Sequence, residues 1–212
     1  MKKIFAITAT CLFGLVTASV ASAQNGLYVS GNFGVSIVND LTASGNDDEG
    51  AWSADTSWDT GYAMHVAVGY DFNPIRTEVE FGYAKNDCDE VDNGEQATDG
   101  DVTATTILVN AYYDFHNSSS FVPYLGAGLG YAKIGYNNLN AADWDYPFDS
   151  DDSVFAYQFM AGVAYTINSN ISVDLSYRYV GTSDPSLDDV DGTTVDFEYN
   201  AHVVSLGVKY TF

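Results

Sequence analysis

Basic residues are scarce in this chain. Seven Lys and Arg stand against 29 Asp and Glu, for a formal charge of −22 over 212 residues. A surface so poor in cations excludes nucleic acid as a partner, because phosphate backbones are held by Lys and Arg. Cysteine is nearly absent as well. Of the two, Cys11 falls in the apolar leader and Cys88 stands alone beyond it, so the chain after the leader closes no internal disulfide. Past the leader no apolar run approaches the roughly 18 residues of a spanning helix. If this chain enters a membrane, it does so as a closed barrel, the other fold that satisfies every backbone polar group in lipid. Disorder is a poor fit, because 16 Tyr and 12 Phe are present.

The first 23 residues read as a secretory signal peptide. Lys2 and Lys3 begin it, Ile4–Val20 is apolar and small, and Ala21-Ser22-Ala23 fits a small-x-small cleavage site, with the mature chain expected from Gln24. Thr10 before Cys11 is a poor lipidation context. The length that remains suits one domain, residues 24–212.

The acids are clustered. Four windows, about 38–60, 86–101, 136–152 and 181–198, contain 24 of the 29 acids together with Asn, Gly, Ser and Thr, and read as loops. Between them lie eight strand-like stretches, near Leu27–Ile37, Gly61–Phe72, Ile75–Lys85, Val102–Phe115, Phe121–Gly135, Ser153–Ile167, Ile171–Val180 and Tyr199–Phe212. Each is about the length that crosses a bilayer when tilted. Short breaks and long acidic breaks alternate strictly between them. That predicts an all-β, eight-stranded, antiparallel up-and-down transmembrane β-barrel. Both termini fall at its short-turn, periplasmic end, and the four acidic loops are extracellular.

In "RTEVEFGY", Arg76, Glu78 and Glu80 share one phase, while Thr77, Val79, Phe81 and Tyr83 share the other. Small and charged residues likewise share a phase in the other strands. Gly126, Gly128, Gly130 and Gly162 fit the cramped interior of eight strands. The charges on this phase have both signs: Asp71, Arg76, Glu78, Glu80, Asp114, Asp174, Arg178 and Lys209. Mixed signs suit a closed lumen, where a charge is costly unless paired. The expected pairings are Arg178 with Glu78 or Glu80, and Asp174 with Lys209. On the apolar phase, Tyr62, Tyr83, Tyr131, Tyr157 and Tyr179 lie toward the long loops. Phe72, Phe115, Phe121, Tyr165, Tyr210 and Phe212 lie toward the short turns, and aliphatic residues fill the band between. Two aromatic rows around an aliphatic band match the interface belts of a membrane barrel.

"PIRTEVEFGY", "NAYYDF", "PYLGAGLGYA", "FAYQFMAGVAYTI", "VDLSYRYV" and "GVKYTF" resemble the small Gram-negative outer-membrane barrels of the opacity-protein and bacterial surface-antigen group, related in architecture to the OmpA-type barrel. The resemblance covers the strands and not the loops. It implies an outer-membrane location among lipid and lipopolysaccharide, and roles in envelope integrity, adhesion or immune exposure, with host or environmental ligands met by the loops. The ending Val208, Tyr210, Phe212 resembles the terminal strand read by the barrel-assembly machinery.

No catalytic group is expected. His116 and Ser118 fall in a short turn, His202 and Ser205 have opposite phases, and His65 is alone on the inner one. No cofactor or dedicated metal site is expected either: "DCDEVDNGE" has Val91 where an EF-hand loop needs an oxygen ligand, so the acidic loops read as solvated, with weak divalent-cation binding as the alternative. The reading is a monomeric, non-enzymatic surface barrel. The alternative is a narrow porin passing small solutes, although eight strands leave only enough room for side chains.

Overall fold

A computed structural model describes residues 26–39, 41–47, 50–91, 95–96, 99–140, 148–183, 186–188, 194–196 and 199–212. Residues 1–25, which hold the expected leader, lie outside the described residues. The elements in chain order are β1 (Leu27–Val38), β2 (Leu41–Asp47), β3 (Gly50–Trp58), β4 (Gly61–Asp71), β5 (Ile75–Val91), β6 (Glu95–Gln96), β7 (Asp99–Asp114), β8 (Phe121–Asn140), β9 (Phe148–Thr166), β10 (Ile171–Thr182), β11 (Ser186–Asp188), β12 (Thr194–Asp196) and β13 (Asn200–Thr211).

Eight of these strands form a closed antiparallel ring. β1 pairs with β4, and the ladder continues through β5, β7, β8, β9 and β10 to β13, which returns to β1. Closure matters because it leaves no barrel edge with unpaired backbone groups. The N-terminal part of β1 lies against the last residues of the chain, with Tyr28 opposite Thr211, so both chain ends sit with the short turns. Those turns are residues 72–74, 115–120 and 167–170. Side-chain acceptors tie them down: Asp71 accepts from the Asn73 amide at 2.8 Å, and Asn168 from the Asn170 and Ile171 amides at 2.9 Å.

The phases fall as the alternation predicts for a barrel in lipid. Val79 is 56% exposed and Leu206 69% exposed on the outer face. Glu80, between Val79 and Phe81, is 1% exposed and points inward. Such an apolar exterior is a hydrocarbon-facing surface, since a soluble protein would bury it. The aromatic rows form contacts at both ends. Tyr62 and Tyr83 lie 6.2 Å apart at the loop end, and Phe121 and Tyr165 4.9 Å apart at the turn end.

The windows expected as loops contain much strand. The β5–β7 ladder runs on to Asp87 opposite Asp101, and the β7–β8 ladder to Asp99 opposite Asn140. β2 and β3 form a hairpin whose second strand pairs with the upper end of β5. Asp, Asn and Gly have low strand propensity, so these extensions do not declare themselves locally. An antiparallel ladder already formed in the barrel satisfies the next backbone pair at small added entropic cost, and tertiary pairing overrides propensity.

Candidate functional site

The lumen is divided along its length. Its short-turn half is a polar network built from six strands, β1, β5, β7, β8, β9 and β10, that point charge, amide and hydroxyl groups at one another. Arg76 Nε on β5 donates to Asp114 Oδ2 on β7 at 2.7 Å, both side chains buried. The same guanidinium lies over the rings of Tyr112 and Tyr124, at 4.6 and 5.1 Å. Glu78 accepts from the hydroxyls of Tyr28 (2.9 Å) and Tyr112 (2.6 Å) and from Asn110 Nδ2 (3.0 Å). Gln158 Nε2 donates to Asn110 Oδ1 at 2.8 Å and to Glu80 Oε1 at 3.1 Å. Arg178 Nη1 on β10 completes the chain by donating to Glu80 Oε2 at 2.5 Å. Charges this dry are tolerated because each is met by an opposite charge or by several donors.

The expected Asp174–Lys209 pair does not form. Lys209 stands opposite Ser172 on β10 and Ser30 on β1, whereas Asp174 stands opposite Gly207. The two side chains are therefore one inward position apart in height. Asp174 accepts instead from the Tyr124 hydroxyl at 2.8 Å and more weakly from Asn32. The Lys209 ammonium lies 5.3 Å from the Tyr28 ring centroid. Asp71 stands opposite Arg76 in register, but its carboxylate caps the adjoining turn. Arg178 takes Glu80 of its two expected partners.

The inward glycines make room for these rings. A Cβ at Gly162 would strike the Tyr124 ring, one at Gly126 the Tyr112 ring, and one at Gly69 the Tyr28 ring. Small residues on one strand thus seat the large residues of the next, which is how an eight-stranded interior fills. A cavity of about 220 Å³ remains at the short-turn end, lined by Arg76, Asp114, Tyr124, Asp174, Arg178 and Lys209 among others. A second void of about 20 Å³ lies beside His65, Leu108 and Gln158. The Arg178–Glu80–Gln158 layer stands between the two.

Toward the long loops the chemistry reverses. Val38, Trp58, Val102, Ala104, Leu108, Ala132, Ile134, Val154, Ala156, Tyr199 and Ala201 pack into one apolar cluster inside the barrel. Outside, at the same height, the surface is polar. Lys133 carries a side chain 57% exposed and pairs with Asp151 at 2.8 Å, while its neighbour Ile134 is fully buried. Lys85 pairs with Asp101 at 3.1 Å and with Asp87 at 3.4 Å. Above the belt tyrosines Tyr83 and Tyr131 the barrel is therefore apolar inside and charged outside, like a soluble protein. Asn86 adds a tether, donating at 2.9 Å to the carbonyls of Ser36 and Asp59.

The expectation of a polar lumen holds for one half and missed the apolar half. A signal was present: in "YAKIGY" Ala132 and Ile134 take the inward phase immediately after the outward Tyr131, with Lys133 outward between them. The histidines stay apart. His116 lies in a short turn, His65 is buried in the lumen, and His202 Nδ1 on the outer face is 2.7 Å from the Tyr177 hydroxyl. Among the described residues no group of three His, Cys, Asp or Glu is placed to hold a metal ion.

With this geometry in hand, residues 7–212 match the outer membrane protein β-barrel domain. The chain belongs to that family. It is 30% identical to the outer membrane protein PagN of Salmonella typhimurium, across the full length of both chains. It is 24% identical to a candidate adhesin of Rickettsia conorii, over 90% of this chain and 84% of that one. Among solved structures it is similar to OprG of Pseudomonas aeruginosa, with a TM-score of 0.60, 14% identity, and 89% and 97% of the two chains covered. Neisserial surface protein A gives a TM-score of 0.54 at 22% identity, covering 88% and 97%. At these identities the two structures speak to the fold alone. The family places this chain in the outer membrane as a surface-exposed barrel protein. PagN and the Rickettsia protein are described by location and adhesion rather than by a reaction.

Proposed function

We propose that this barrel serves as a rigid, sealed stalk that presents its acidic loops to the outside, where they act in surface contact of the adhesin kind. The observation that carries this reading is the reversal of polarity above the tyrosine belt. A barrel made only to span would end its strands at the interface. Here the ladders continue beyond it and are filled by an apolar core that includes Val102, Ile134 and Val154. Such a core stiffens the extension and leaves its outer face free for solvent and partners.

On this reading the short turns and both termini lie in the periplasm, and residues 1–23 are removed on export. Val208, Tyr210 and Phe212 form the strand end taken up by the barrel-assembly machinery, and the mature protein works as a monomer in contact with lipopolysaccharide. The lumen charges serve to hold the barrel closed and take no part in catalysis. The ligands of the loops are host or environmental surface molecules, a role supported by the adhesin-like relative. The alternative of a narrow porin is disfavoured by the buried Glu80–Arg178 pair with the apolar cluster above it, since a solute would have to displace both.

Two measurements test this. Planar-bilayer recordings are expected to show no stable openings, and steady single-channel conductance would return the porin reading. Cells displaying the protein should adhere to surfaces better than cells expressing a variant trimmed within residues 141–147 and 189–193. Equal adhesion would remove the contact role.

A further inference from the structure

Three cations lie in the lumen, and two of them are paired: Arg76 with Asp114 at 2.7 Å, and Arg178 with Glu80. Lys209 is the exception. Among the described residues it makes no ion pair and no hydrogen bond, and its ammonium lies 5.3 Å from the centroid of the Tyr28 ring. Its cross-strand neighbours are Ser30 on β1 and Ser172 on β10. Both serines are too short to cover an ammonium, and both line the cavity of about 220 Å³ at the short-turn end, as Lys209 does. A lysine kept inside a membrane barrel without a counter-charge is costly, so something must offset it. The carboxylates of the same cavity are short of donors in turn. Asp71 and Asp174 are half-buried on it. Asp71 accepts from the Asn73 amide and makes no other hydrogen bond among the described residues. Asp114, 5% exposed in the same wall, leaves Oδ1 without a partner among the described residues. The cavity therefore keeps an unmet ammonium and unmet carboxylate oxygens apart.

We propose that this cavity is a binding site for a small zwitterion of the free amino-acid class. The ligand's carboxylate accepts from the Lys209 ammonium and from the hydroxyls of Ser30 and Ser172. Its ammonium donates to Asp71 and Asp174. Asp174 has lone pairs to spare beyond its bonds from Tyr124 and Asn32, since a carboxylate offers about four acceptor positions. Neither charge alone would suit the site. A simple anion would satisfy Lys209 but add negative charge beside three carboxylates, and a simple cation would leave Lys209 unmet. Charge-assisted hydrogen bonds are the strong ones, and more so where water is partly shut out. The volume equals that of about seven waters at 30 Å³ each, the size class of a small amino acid. Access is from the short-turn end, where the exposed turn Asn168-Ser169-Asn170 borders the cavity. On its inner side the Arg178–Glu80–Gln158 layer closes it. The ligand thus enters and leaves by one mouth, and the barrel binds without conducting. That this mouth opens to the periplasm rests on the outward reading of the long loops, and the binding itself does not.

The test uses the full mature protein in phosphatidylcholine nanodiscs, titrated with alanine, with acetate and with ethylammonium, and followed by the NMR amide signals of Ser30, Ser172 and Lys209. Alanine should shift these signals saturably. Acetate and ethylammonium, each carrying one of its two charges, should bind more weakly, on the order of tenfold. Lys209→Gln should lower alanine affinity by a similar factor. Asp71→Asn, at the mouth of the cavity, should lower it as well and serves as the second variant should the first not fold. Heat-dependent electrophoretic mobility of each variant reports that the barrel is intact. The proposal is overturned by an absence of saturable shifts with alanine, by acetate or ethylammonium binding as tightly as alanine, or by unchanged affinity in the folded variants. An epitope inserted within residues 141–147 and probed on intact cells tests orientation separately. A tag hidden from the outside would sink the outward-loop reading without altering what the nanodiscs measure.

Discussion

The two halves of the lumen solve the same packing problem with opposite chemistry. Below the tyrosine belt lipid surrounds the barrel, and the interior is charged: Arg76–Asp114, Glu78 with three donors, and Glu80–Arg178. Above the belt water surrounds it, and the interior is Val102, Ile134, Val154 and their neighbours. The difference teaches that the surroundings of a strand set the meaning of its alternation. In lipid the outer phase must be apolar, so polarity is confined to the interior and has to pair there. In water the hydrophobic effect returns, and the interior can be held by apolar burial.

The comparison can be broken at either end. Arg178→Ala should have the largest effect. It leaves Glu80 buried without its counter-charge, and about 3–5 kcal/mol of stability should be lost, read from urea unfolding in lipid vesicles. In the other half, Ile134→Ala should cost about 2–5 kcal/mol by opening a cavity in the apolar cluster. A loss no greater than that of an exposed alanine substitution would mean that this cluster does not hold the extension. Outside the barrel, Val109→Arg at mid-height should cost about 2–4 kcal/mol. Ser153→Arg, on the same outer phase but above the belt, should fall within about 0.5 kcal/mol of wild type. Equal costs at these two positions would abolish the boundary between the halves. The smallest lumen effect expected is Tyr124→Phe. It removes one hydrogen bond to Asp174, worth about 1.5–3 kcal/mol when the acceptor is charged, and less here because the carboxylate keeps Asn32 and borders the open cavity. Denaturation midpoints of the variant and wild type measure it.

Much was legible because the signals are local. The two-residue alternation of Arg76–Tyr83 states which face of β5 is apolar, and the aromatic rows at the strand ends state how high the hydrocarbon reaches. Glu80 and Arg178 were legible as partners because both carry unlike charge on the inner phase at similar depth. Lys209 was misplaced because its height depends on the β10–β13 register, which no local pattern specifies. The strand extensions were hidden for a related reason. "NDCDEV" has turn-like composition, and only a neighbouring strand already paired below it extends the ladder.

The sequence by itself therefore determined the class of structure: eight strands, alternating short and long connections, an apolar exterior with aromatic rims, and charges kept for the inside. Those follow from periodicity and from what lipid excludes. Tertiary structure alone decided which charge meets which, that Tyr28, Tyr112 and Tyr124 close over Gly69, Gly126 and Gly162, and that the lumen changes from polar to apolar at the belt. The physical reason is that these outcomes depend on register between strands distant in sequence. A shift of one inward position separates an ion pair from two charges that pass each other.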